Sequence, residues 1–543
     1  MTPSKESSST PASWQPPEAA GTPLEAPQVL ATLAPATPTA RPPALFENRW
    51  ARLLIPSFAD FFFLAMLAWL FVGGPAGNGG SLLADADVGW HIRTGEWILD
   101  HKTVPYQDLF SFSKPGAPWY AWEWLADVVD GLLFRWAGLK GVVLASGLLL
   151  GVFATTLVRR MNSRGVHVLV GLMVALLGIG SASIHFLARP HVFTLLLVSV
   201  SVWMIESDRE RPTWRIWLLL PLTVVWTNLH GGFLAVIAIL GLTAVGTALE
   251  VWLGNGRTWR DALRYFQLAA GCALASLVNP YGWNLHLHVA EYLRSDWIRN
   301  AVQEFQSPVF RNQNMLQFEA LMLTGLLVAA SLIRRRQIVE TLWIVFWAHM
   351  ALASVRHVPI FVTVAAPIIA WEVGCWWTKW TAKSKKSSII GILNQLAADS
   401  AAGFSRTSLL PWVVAAGLMG VGGIKWPQDF PSAVFPTKIV HDNLELIFSS
   451  RVFTTDQWGD YLIFTNPGQK VFMDGRSDFF GEEIGKDYLR ITSGDWRWRE
   501  LIAKYDFNLV LISTSDAIAQ LLKQEPSWRV VVDDGKQILL VRR

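Results

Sequence analysis

With 543 residues, 52% of them hydrophobic and only 16% charged, the chain is far more apolar than a soluble protein, in which about 25% of residues are charged. A formal net charge of +4 at pH 7 argues against a nucleic-acid surface, and two cysteines inside apolar runs argue against a disulfide framework. Apolar runs of about 17 to 22 residues recur, long enough to cross a hydrocarbon core about 30 Å thick. The composition therefore predicts a polytopic α-helical membrane protein.

The N-terminal segment differs from the rest of the chain. Residues 1–44 are rich in Pro, Ala, Ser and Thr and have no apolar period, which predicts a disordered tail. Arg49 and Arg52 then precede the first apolar run, 53–73, and positive charge at this position favours a cytoplasmic N-terminus. The later apolar runs bring the predicted number of spans to about eleven. They are 140–158, 166–184, 191–205, 214–230, 232–252, 262–280, 317–333, 338–354, 358–376 and 409–425.

Residues 121–137 are also apolar, but their charges argue against a span. At helical spacing Glu123, Asp127 and Asp130 share one face, and the apolar side chains share the opposite face. A helix with an acidic stripe lies more readily in the membrane interface than across the bilayer. We therefore predict that this helix lies flat on the outer surface, within a long first outer loop, 74–139.

The basic clusters of the chain support this placement. With 121–137 outside the membrane, the loops that carry these clusters all fall on the cytoplasmic side, as the positive-inside rule requires. Counting 121–137 as a span would move every later cluster to the other side. The clusters lie within Arg159–Arg164, Arg209–Arg215, Arg257–Arg264, Arg334–Arg336 and Lys379–Lys386.

Histidines and other polar residues gather at the outer ends of the predicted spans. Short polar motifs there are Ala188–His191, Asn228–Gly232, Asn279–Gly282 and Ser354–Pro359. Because ionisable groups at membrane depth are costly, this one-sided set predicts a polar cavity that opens outward. The alternative is that each histidine or tryptophan only anchors a span end at the interface.

After the last span the composition becomes that of a soluble domain. Strand-like and helix-like runs alternate, which predicts a small extracytoplasmic α/β domain, 427–543, after a helix bundle, 45–426. The predicted strands are Arg451–Thr455, Lys470–Met473, Asn508–Ser513, Arg529–Val532 and Gln537–Val541. The predicted helices are Glu482–Thr492, Trp496–Tyr505 and Asp516–Leu522.

Several short motifs follow one another in a characteristic order. They are Asp85–Ile92, Pro105–Ser113, Trp119–Leu125, Ala188–His191, Asn228–Gly232, Asn279–Gly282, Arg356–Pro359, Asp456–Leu462 and Asp474–Arg476. From residue 50 onward the chain resembles the integral-membrane glycosyltransferases of the GT-C fold, which use sugars carried on polyprenyl phosphate or pyrophosphate. The resemblance is to bacterial members, distantly like the protein mannosyltransferase, aminoarabinose transferase and oligosaccharyltransferase group. It implies acidic catalytic residues and interfacial helices in the first outer loop.

Asp85 and Asp87 are the first candidates for catalysis. Transfer of a sugar from a lipid phosphate needs a carboxylate that deprotonates the acceptor and positive charge that stabilises the departing phosphate. Residues two apart in an extended segment point to the same face, so both carboxylates can meet one hydroxyl or one ion. The resemblance to oligosaccharyltransferases implies a divalent metal, Mg or Mn, on such a pair, whereas other members need none. The alternative is an Asp-rich turn in which Asp87 caps a helix from Val88 to Leu99.

The remaining candidates lie in other outer segments. Glu123 is a further catalytic candidate, and its alternative is a solvated face. Arg189 and Arg356 are lone arginines in short outer turns, and we predict that they bind the phosphate, because a guanidinium matches phosphate oxygens. The alternatives are that the arginines snorkel to lipid headgroups and that small residues beside the histidines simply let helices pack. The other predicted substrate-binding residues are His91, His191, Asn228, His230 and His357.

These observations predict a glycosyltransferase of the cell inner (plasma) membrane. It would move a sugar from a polyprenyl-phosphate-linked donor to a lipid, glycan or protein acceptor on the extracytoplasmic side, with no nucleic-acid partner. A lipid-linked donor follows by elimination, because the sequence shows no nucleotide-phosphate loop and an outer site has no supply of nucleotide sugars. Two other classes stay open: a non-catalytic assembly subunit of the same fold, and a transporter of a lipid carrier or polar solute. Asp60, inside the first span, has no evident relay partner in the sequence, which disfavours the transporter.

Overall fold

The computed structural model describes residues 57–73, 79–311, 315–404, 408–420 and 424–543. The predicted tail, 1–44, lies outside the described residues. The described part is mostly helical, and six of its helices are long and apolar enough to cross a membrane. This architecture indicates a membrane protein of the α-helical class. The six segments are Leu139–Ser163, Val168–His185, His191–Glu210, Gly231–Trp252, Met315–Arg334 and Val355–Thr381.

The predicted number of spans is not confirmed, although every predicted span coincides with a helix. Ala59–Val72 and Ile338–Ala353 are apolar but shorter than the six. Leu219–Leu229 and Leu410–Gly420 have 11 residues each, which is about 17 Å of helix against a core of about 30 Å. Trp259–Ala275 has 17 residues and carries charges in its first turn. An apolar run therefore located each helix correctly without fixing its length.

The α-helices are named here in chain order. The first half of the described chain contains α1 (Phe58–Ala68), α2 (Asp87–His101), α3 (Trp124–Ala137), α4 (Leu139–Ser163), α5 (Val168–Ala182), α6 (His191–Glu210), α7 (Leu219–Leu229), α8 (Leu234–Trp252), α9 (Trp259–Ala275), α10 (Trp283–Arg294) and α11 (Asp296–Ala301). The second half contains α12 (Met315–Arg334), α13 (Ile338–Ala353), α14 (Val358–Thr381), α15 (Ile389–Phe404), α16 (Leu410–Gly420), α17 (Thr437–Asp442), α18 (Leu444–Phe448), α19 (Asp456–Thr465), α20 (Ser477–Thr492), α21 (Trp498–Lys504) and α22 (Ala517–Gln524).

Asp60 has structural partners that the sequence did not reveal. Its carboxylate closes a capping box with Ser57 at the start of α1. Arg159 donates from Nη2 to Asp60 Oδ1 at 3.0 Å. The buried charge of the first apolar helix is therefore neutralised locally by a cap and an ion pair.

The segment predicted as the first outer loop contains two helices that cross at very short range. Helix α2 packs against α3. A β-carbon on Gly95 would lie 1.8 Å from the carbonyl oxygen of Asp127, so only glycine allows this approach. The crossing places the side chains of His91 and Asp127 against each other.

The acidic stripe of α3 faces the protein and its apolar face is exposed. Asp127 and Asp130 are buried, whereas Leu132 is 51% and Trp136 is 74% exposed. A helix on the surface of a soluble protein has the opposite arrangement. The solvated acidic face considered for Glu123 is therefore wrong, and the interfacial position of α3 stays a prediction.

The C-terminal segment contains one mixed four-stranded sheet with the order β1-β2-β4-β3. Strands β1 and β2 are parallel, and β4 pairs antiparallel with both β2 and β3. The predicted strand Lys470–Met473 is wrong, because Val471 makes only an isolated bridge to Ser111 of the first outer loop. The strands are β1 (Val452–Phe453), β2 (Leu509–Ser513), β3 (Trp528–Asp533) and β4 (Gln537–Arg542).

The C-terminal segment is fastened to the first outer loop by a buried ion cluster. Arg476 donates from Nη2 to Asp108 Oδ1 at 2.8 Å and to Asp474 Oδ2 at 2.6 Å. Its guanidinium also lies 4.5 Å from the ring centroid of Trp119. Because a buried charge is tolerated only when paired, this contact sets the position of the segment relative to the loop.

Candidate active site

Arg189 is the centre of the polar cluster at the start of α6. Its Nη1 lies 2.8 Å from Asp85 Oδ2 and 2.8 Å from Glu304 Oε1, and its Nη2 lies 2.6 Å from Asp87 Oδ2. Asp85 and Arg189 are predicted site residues that the structure brings into direct contact. Burial of the guanidinium lowers the pKa of Arg189, but the surrounding carboxylates outweigh burial, so the net pKa is raised well above its ordinary value.

The turn Asp85–Asp87 is held from two sides. The backbone N–H of Asp87 donates to Asp85 Oδ1 at 2.9 Å, which orders the turn locally. Gln457 in α19 accepts from the backbone N–H of Ala86 at 2.9 Å and donates to Asp87 Oδ1 at 3.2 Å. Helix α2 begins at Asp87, and its N-cap residue, Ala86, makes no side-chain cap. The capping role considered for Asp87 is therefore wrong.

The extended segment predicted for Asp85–Asp87 is wrong, because these residues form a turn that opens α2, yet both carboxylates meet one cation, a guanidinium. Oδ2 of Asp85 and Oδ2 of Asp87 both face Arg189. Within the described ranges, no group of three or more His, Cys, Asp or Glu side chains is arranged to hold a metal ion. The donor set fits an arginine, and a divalent metal, Mg or Mn, on this pair stays a prediction.

Glu304 joins the two predicted phosphate-binding arginines. Its Oε1 contacts Arg189, and its Oε2 lies 3.7 Å from Arg356 Nη2. Arg356 also stacks at 4.4 Å over the ring of Phe305. Although burial opposes it, the two guanidiniums lower the pKa of Glu304, so the carboxylate is ionised. With 27% of its side chain exposed, Glu304 marks an anion-binding position between two arginines.

Asp87 is paired with a second buried carboxyl, Asp460 of α19. A β-carbon on Gly475 would lie 2.2 Å from Asp87 Oδ1 and 3.0 Å from Asp460 Oδ2, so both side chains pass directly beneath this glycine. Gly475 donates its N–H to Asp460 Oδ1 at 3.0 Å. Burial raises the pKa of Asp87 and of Asp460 well above the ordinary value. Burial and the repulsion between the two carboxyls therefore both disfavour their ionisation.

Glu123 lies between two imidazole rings. Its Oε2 is 3.6 Å from His91 Nε2, and its Oε1 is 3.5 Å from His230 Nε2. His91 reaches Asp127 on its other side, with 2.6 Å between Nδ1 and Oδ1. His230 receives the N–H of Gly232 on Nδ1 at 2.9 Å. Three predicted site residues, Glu123, His91 and His230, therefore form one contiguous group.

The electrostatics of Glu123 suit proton transfer. Burial raises the pKa of Glu123 to about 8, against the lowering effect of Arg189 and Arg356. A group whose pKa lies near the working pH is the most effective acid or base. Burial lowers the pKa of His91 well below its ordinary value, so this imidazole is neutral at pH 7.

The other predicted binding residues have structural partners. Asn228 accepts from Trp124 Nε1 at 2.7 Å and donates to the carbonyl of Val278 at 2.9 Å, which ties α3 to the bundle. His191 Nε2 lies 2.5 Å from the carbonyl oxygen of His185, and His357 Nδ1 lies 3.2 Å from that of Met350. Among the described residues, the polar groups predicted to line a cavity pair largely with one another.

Three residues of the cluster were not predicted as site residues: Glu304, Gln457 and Asp460. Gln457 and Asp460 belong to the motif Asp456–Leu462, so their presence in that motif was the available signal. Glu304 is a single acid in a short 3-10 turn and gives no periodic or motif signal. The chain matches no protein-family model and no curated protein.

Proposed function

We propose that this protein is a membrane glycosyltransferase of the GT-C type that takes a sugar from a polyprenyl-phosphate-linked donor. The observation that carries the proposal is the convergence of Arg189 and Arg356 on the anion position held by Glu304, beside a carboxyl with a pKa near 8, Glu123. The acceptor is a lipid, a glycan or a protein on the extracytoplasmic side. About eleven crossings of the inner membrane, with the C-terminal domain outside, complete the proposed topology.

The donor phosphate takes the place of the Glu304 carboxylate. Two guanidiniums already flank this position. Their planar sets of N–H donors match the oxygens of a phosphate, which can accept more hydrogen bonds than one carboxylate. Glu304 is the most exposed of the three carboxylates on Arg189, at 27% against 17% for Asp85 and 7% for Asp87, and is the one most easily displaced. Fixed positive charge at this point stabilises the leaving group as the bond to the sugar breaks.

Glu123 is the proton acceptor in the transfer step, in its ionised form, which a pKa of about 8 makes the minor form at pH 7. The acceptor hydroxyl loses its proton to the Glu123 carboxylate while its oxygen bonds to the anomeric carbon of the sugar. The bond between that carbon and the phosphate oxygen breaks, and its electron pair leaves with the phosphate. Glu123 is preferred to Asp87 because its side chain is 13% exposed, whereas the Asp87 side chain is 7% exposed and already in contact with Arg189.

Asp85 and Asp87 act as positioning residues. They hold one guanidinium on two sides, and Gln457 of the C-terminal segment holds the turn that carries them. A pre-oriented cation loses no energy to reorganisation when charge develops on the phosphate. The C-terminal segment is thereby a structural part of the proposed active site.

The test is donor cleavage by the purified protein in lipid nanodiscs. A panel of polyprenyl-phosphate sugars is supplied with a membrane extract as the acceptor source, and release of polyprenyl phosphate is followed. We expect release by the wild type and a rate lower by about 10² to 10⁴ for Glu123→Gln, the range for loss of a general base. Equal release by both proteins would refute the role of Glu123. If the folded protein releases polyprenyl phosphate from none of the donors, the proposed enzymatic activity is contradicted and the non-catalytic assembly subunit is favoured.

A further inference from the structure

The two imidazoles beside Glu123 belong to His91 and His230. Each has a polar partner at Nδ1, the ring nitrogen that does not face Glu123. Thr194 accepts from Trp226 Nε1 at 2.8 Å, and its hydroxyl lies 2.8 Å from His230 Nδ1. Because the N–H of Gly232 also points at His230 Nδ1, this nitrogen is an acceptor. The ring proton of neutral His230 is therefore on Nε2, the nitrogen that faces Glu123.

His91 also carries its ring proton on Nε2 only if Asp127 donates a hydrogen bond to His91 Nδ1. Asp127 is fully buried, and its Oδ1 lies 2.6 Å from His91 Nδ1. Asp127 Oδ2 has no hydrogen-bond partner among the described residues. An ionised carboxylate with one oxygen buried and unpaired is far more costly than a carboxylic acid whose carbonyl oxygen is unpaired.

We propose that Asp127 is a protonated carboxylic acid that donates to His91 Nδ1, so that His91 and His230 both present an Nε2–H to Glu123. The two rings then form a matched pair of N–H groups, each facing a different oxygen of Glu123 at 3.6 Å for His91 and 3.5 Å for His230. The role of the pair in catalysis rests on the proposed function. Asp127 is a positioning residue in this arrangement, because it acts on Glu123 only through His91.

The electrostatic surroundings agree with this geometry. Burial, together with the neighbouring Glu123 and Asp130, raises the pKa of Asp127 well above its ordinary value. The charged groups that act on Glu123 from other elements are Arg189, Asp478, Arg356 and Glu304, and those that act on His91 are Arg189, His230 and His191. The Asp127 carboxyl has no cation among the principal groups that act on it, and this also favours its protonated form.

The arrangement differs from that of a hydrolytic triad in a way that can be measured. In a triad the aspartate is ionised, and the change to asparagine reverses the imidazole tautomer and lowers the rate by about 10⁴. Here asparagine keeps a donor, because its amide N–H replaces the acid O–H toward His91 Nδ1. Leucine has the same branching at its γ-carbon but no donor, so it no longer fixes the tautomer of His91.

The experiment uses full-length protein labelled with ¹⁵N at histidine, in nanodiscs, with His91 assigned through His91→Gln. We expect His91 to carry its proton on Nε2 in the wild type and in Asp127→Asn, and to lose this preference in Asp127→Leu. Asp130→Leu is the matched control, because it removes a buried carboxyl three residues further along α3. An Nδ1–H tautomer in the wild type, or reversal in Asp127→Asn, would overturn the proposal.

Transfer rates give an independent reading of the same variants. We expect Asp127→Asn to keep the wild-type rate and Asp127→Leu to lose about tenfold to a hundredfold, as for other groups that orient a functional side chain. A loss in Asp127→Asn as large as in Asp127→Leu would also overturn the proposal. The tautomer is measured without substrate, so the two proposals can fail separately. If the predicted tautomers are found but no transfer occurs, the pair of Nε2–H groups is supported and the proposed glycosyltransferase activity is refuted.

Discussion

The two ends of helix α6 bury charge in different ways. At its C-terminal end both buried carboxylates face guanidinium groups: Glu206 lies 2.8 Å from Arg160 and 3.1 Å from Arg164, and Asp208 lies 2.9 Å from Arg264. At its N-terminal end one arginine, Arg189, is shared by three carboxylates.

The ratio of carboxyls to guanidiniums distinguishes the ion pairs that stabilise the fold from a site suited to proton transfer. Where each acid has its own cation, the network only holds helices together. Around Arg189 and Arg356, the carboxyls of the described residues outnumber the cations, and burial raises the pKa of Asp87 and of Glu123. Groups that hold a proton near neutral pH can also exchange it, and for this reason we assign the chemistry to the N-terminal end.

The largest expected effect comes from removing the shared cation. Arg189→Gln leaves Asp85 and Asp87 without a cation and Glu304 with Arg356 alone, and we expect a loss of about 3 kcal/mol in the free energy of unfolding and a fall of at least about 100-fold in transfer. Arg160→Gln at the other end of α6 should destabilise the protein similarly, yet leave transfer per folded molecule unchanged. Thermal unfolding in detergent and polyprenyl-phosphate release measure the two quantities. Equal transfer by both variants would remove the distinction between the two ends.

A substitution in the C-terminal segment that disturbs the contact between Asp87 and Asp460 should have a smaller effect on stability and transfer. In Gly475→Ala the new methyl group would lie 2.2 Å from Asp87 Oδ1, so the acidic turn must shift relative to Arg189. We expect about 1 to 3 kcal/mol of destabilisation, as for overpacking, and a transfer rate lowered about tenfold or more. The control is Gly241→Ala in α8, where an added methyl group meets open space. A rate unchanged by Gly475→Ala would show that Asp87 does not position Arg189.

The pH dependence of stability should distinguish proton-neutralised carboxyls from ion pairs. Burial raises the pKa of Asp130 from 3.8 to about 8, so between these values the folded protein holds a proton that the unfolded chain has released. The free energy of unfolding therefore falls as pH rises from about 4 to about 8, by on the order of 1.4 kcal/mol for each unit of pKa difference. Asp130→Asn should flatten this slope. Glu304→Gln should not, because a lowered pKa affects stability only at more acidic pH. The same slope in wild type and Asp130→Asn would contradict the burial of a protonated Asp130.

The sequence was most informative where one signal repeats and least informative where contacts are distant. Each predicted apolar run coincides with a helix of the described residues, although α15 was not predicted, and the acidic stripe of 121–137 set this segment apart from the predicted spans. Asp85 and Arg189 were predicted separately, but their contact joins residues 104 positions apart and has no local signature. Glu304 went unpredicted for the same reason: a lone acid acquires its role only when two span ends meet around it.

The misread elements have an equally physical explanation. Lys470–Met473 has the composition of a strand, but a strand needs a partner edge, and only Ser111 of the outer loop pairs there. The choice between a capping and a binding role for Asp87 depends on a carboxyl, Asp460, and a glycine, Gly475, that lie far along the chain. Local propensity fixes where an element begins, and tertiary contacts decide what its polar side chains do.

The smallest expected effect concerns the occupant of the anion position. If the donor phosphate displaces Glu304, then Glu304→Gln removes a competing charge from Arg189 and Arg356 and should lower the KM for the donor. A partly exposed ion pair is worth at most about 1 kcal/mol, so the expected decrease is about two- to fivefold, with kcat unchanged. Glu482→Gln, an exposed acid on α20 paired with Lys486, is the control for the loss of one negative charge. A raised KM in Glu304→Gln alone would instead make Glu304 a group that binds substrate, and the phosphate would then have to contact the arginines from another side.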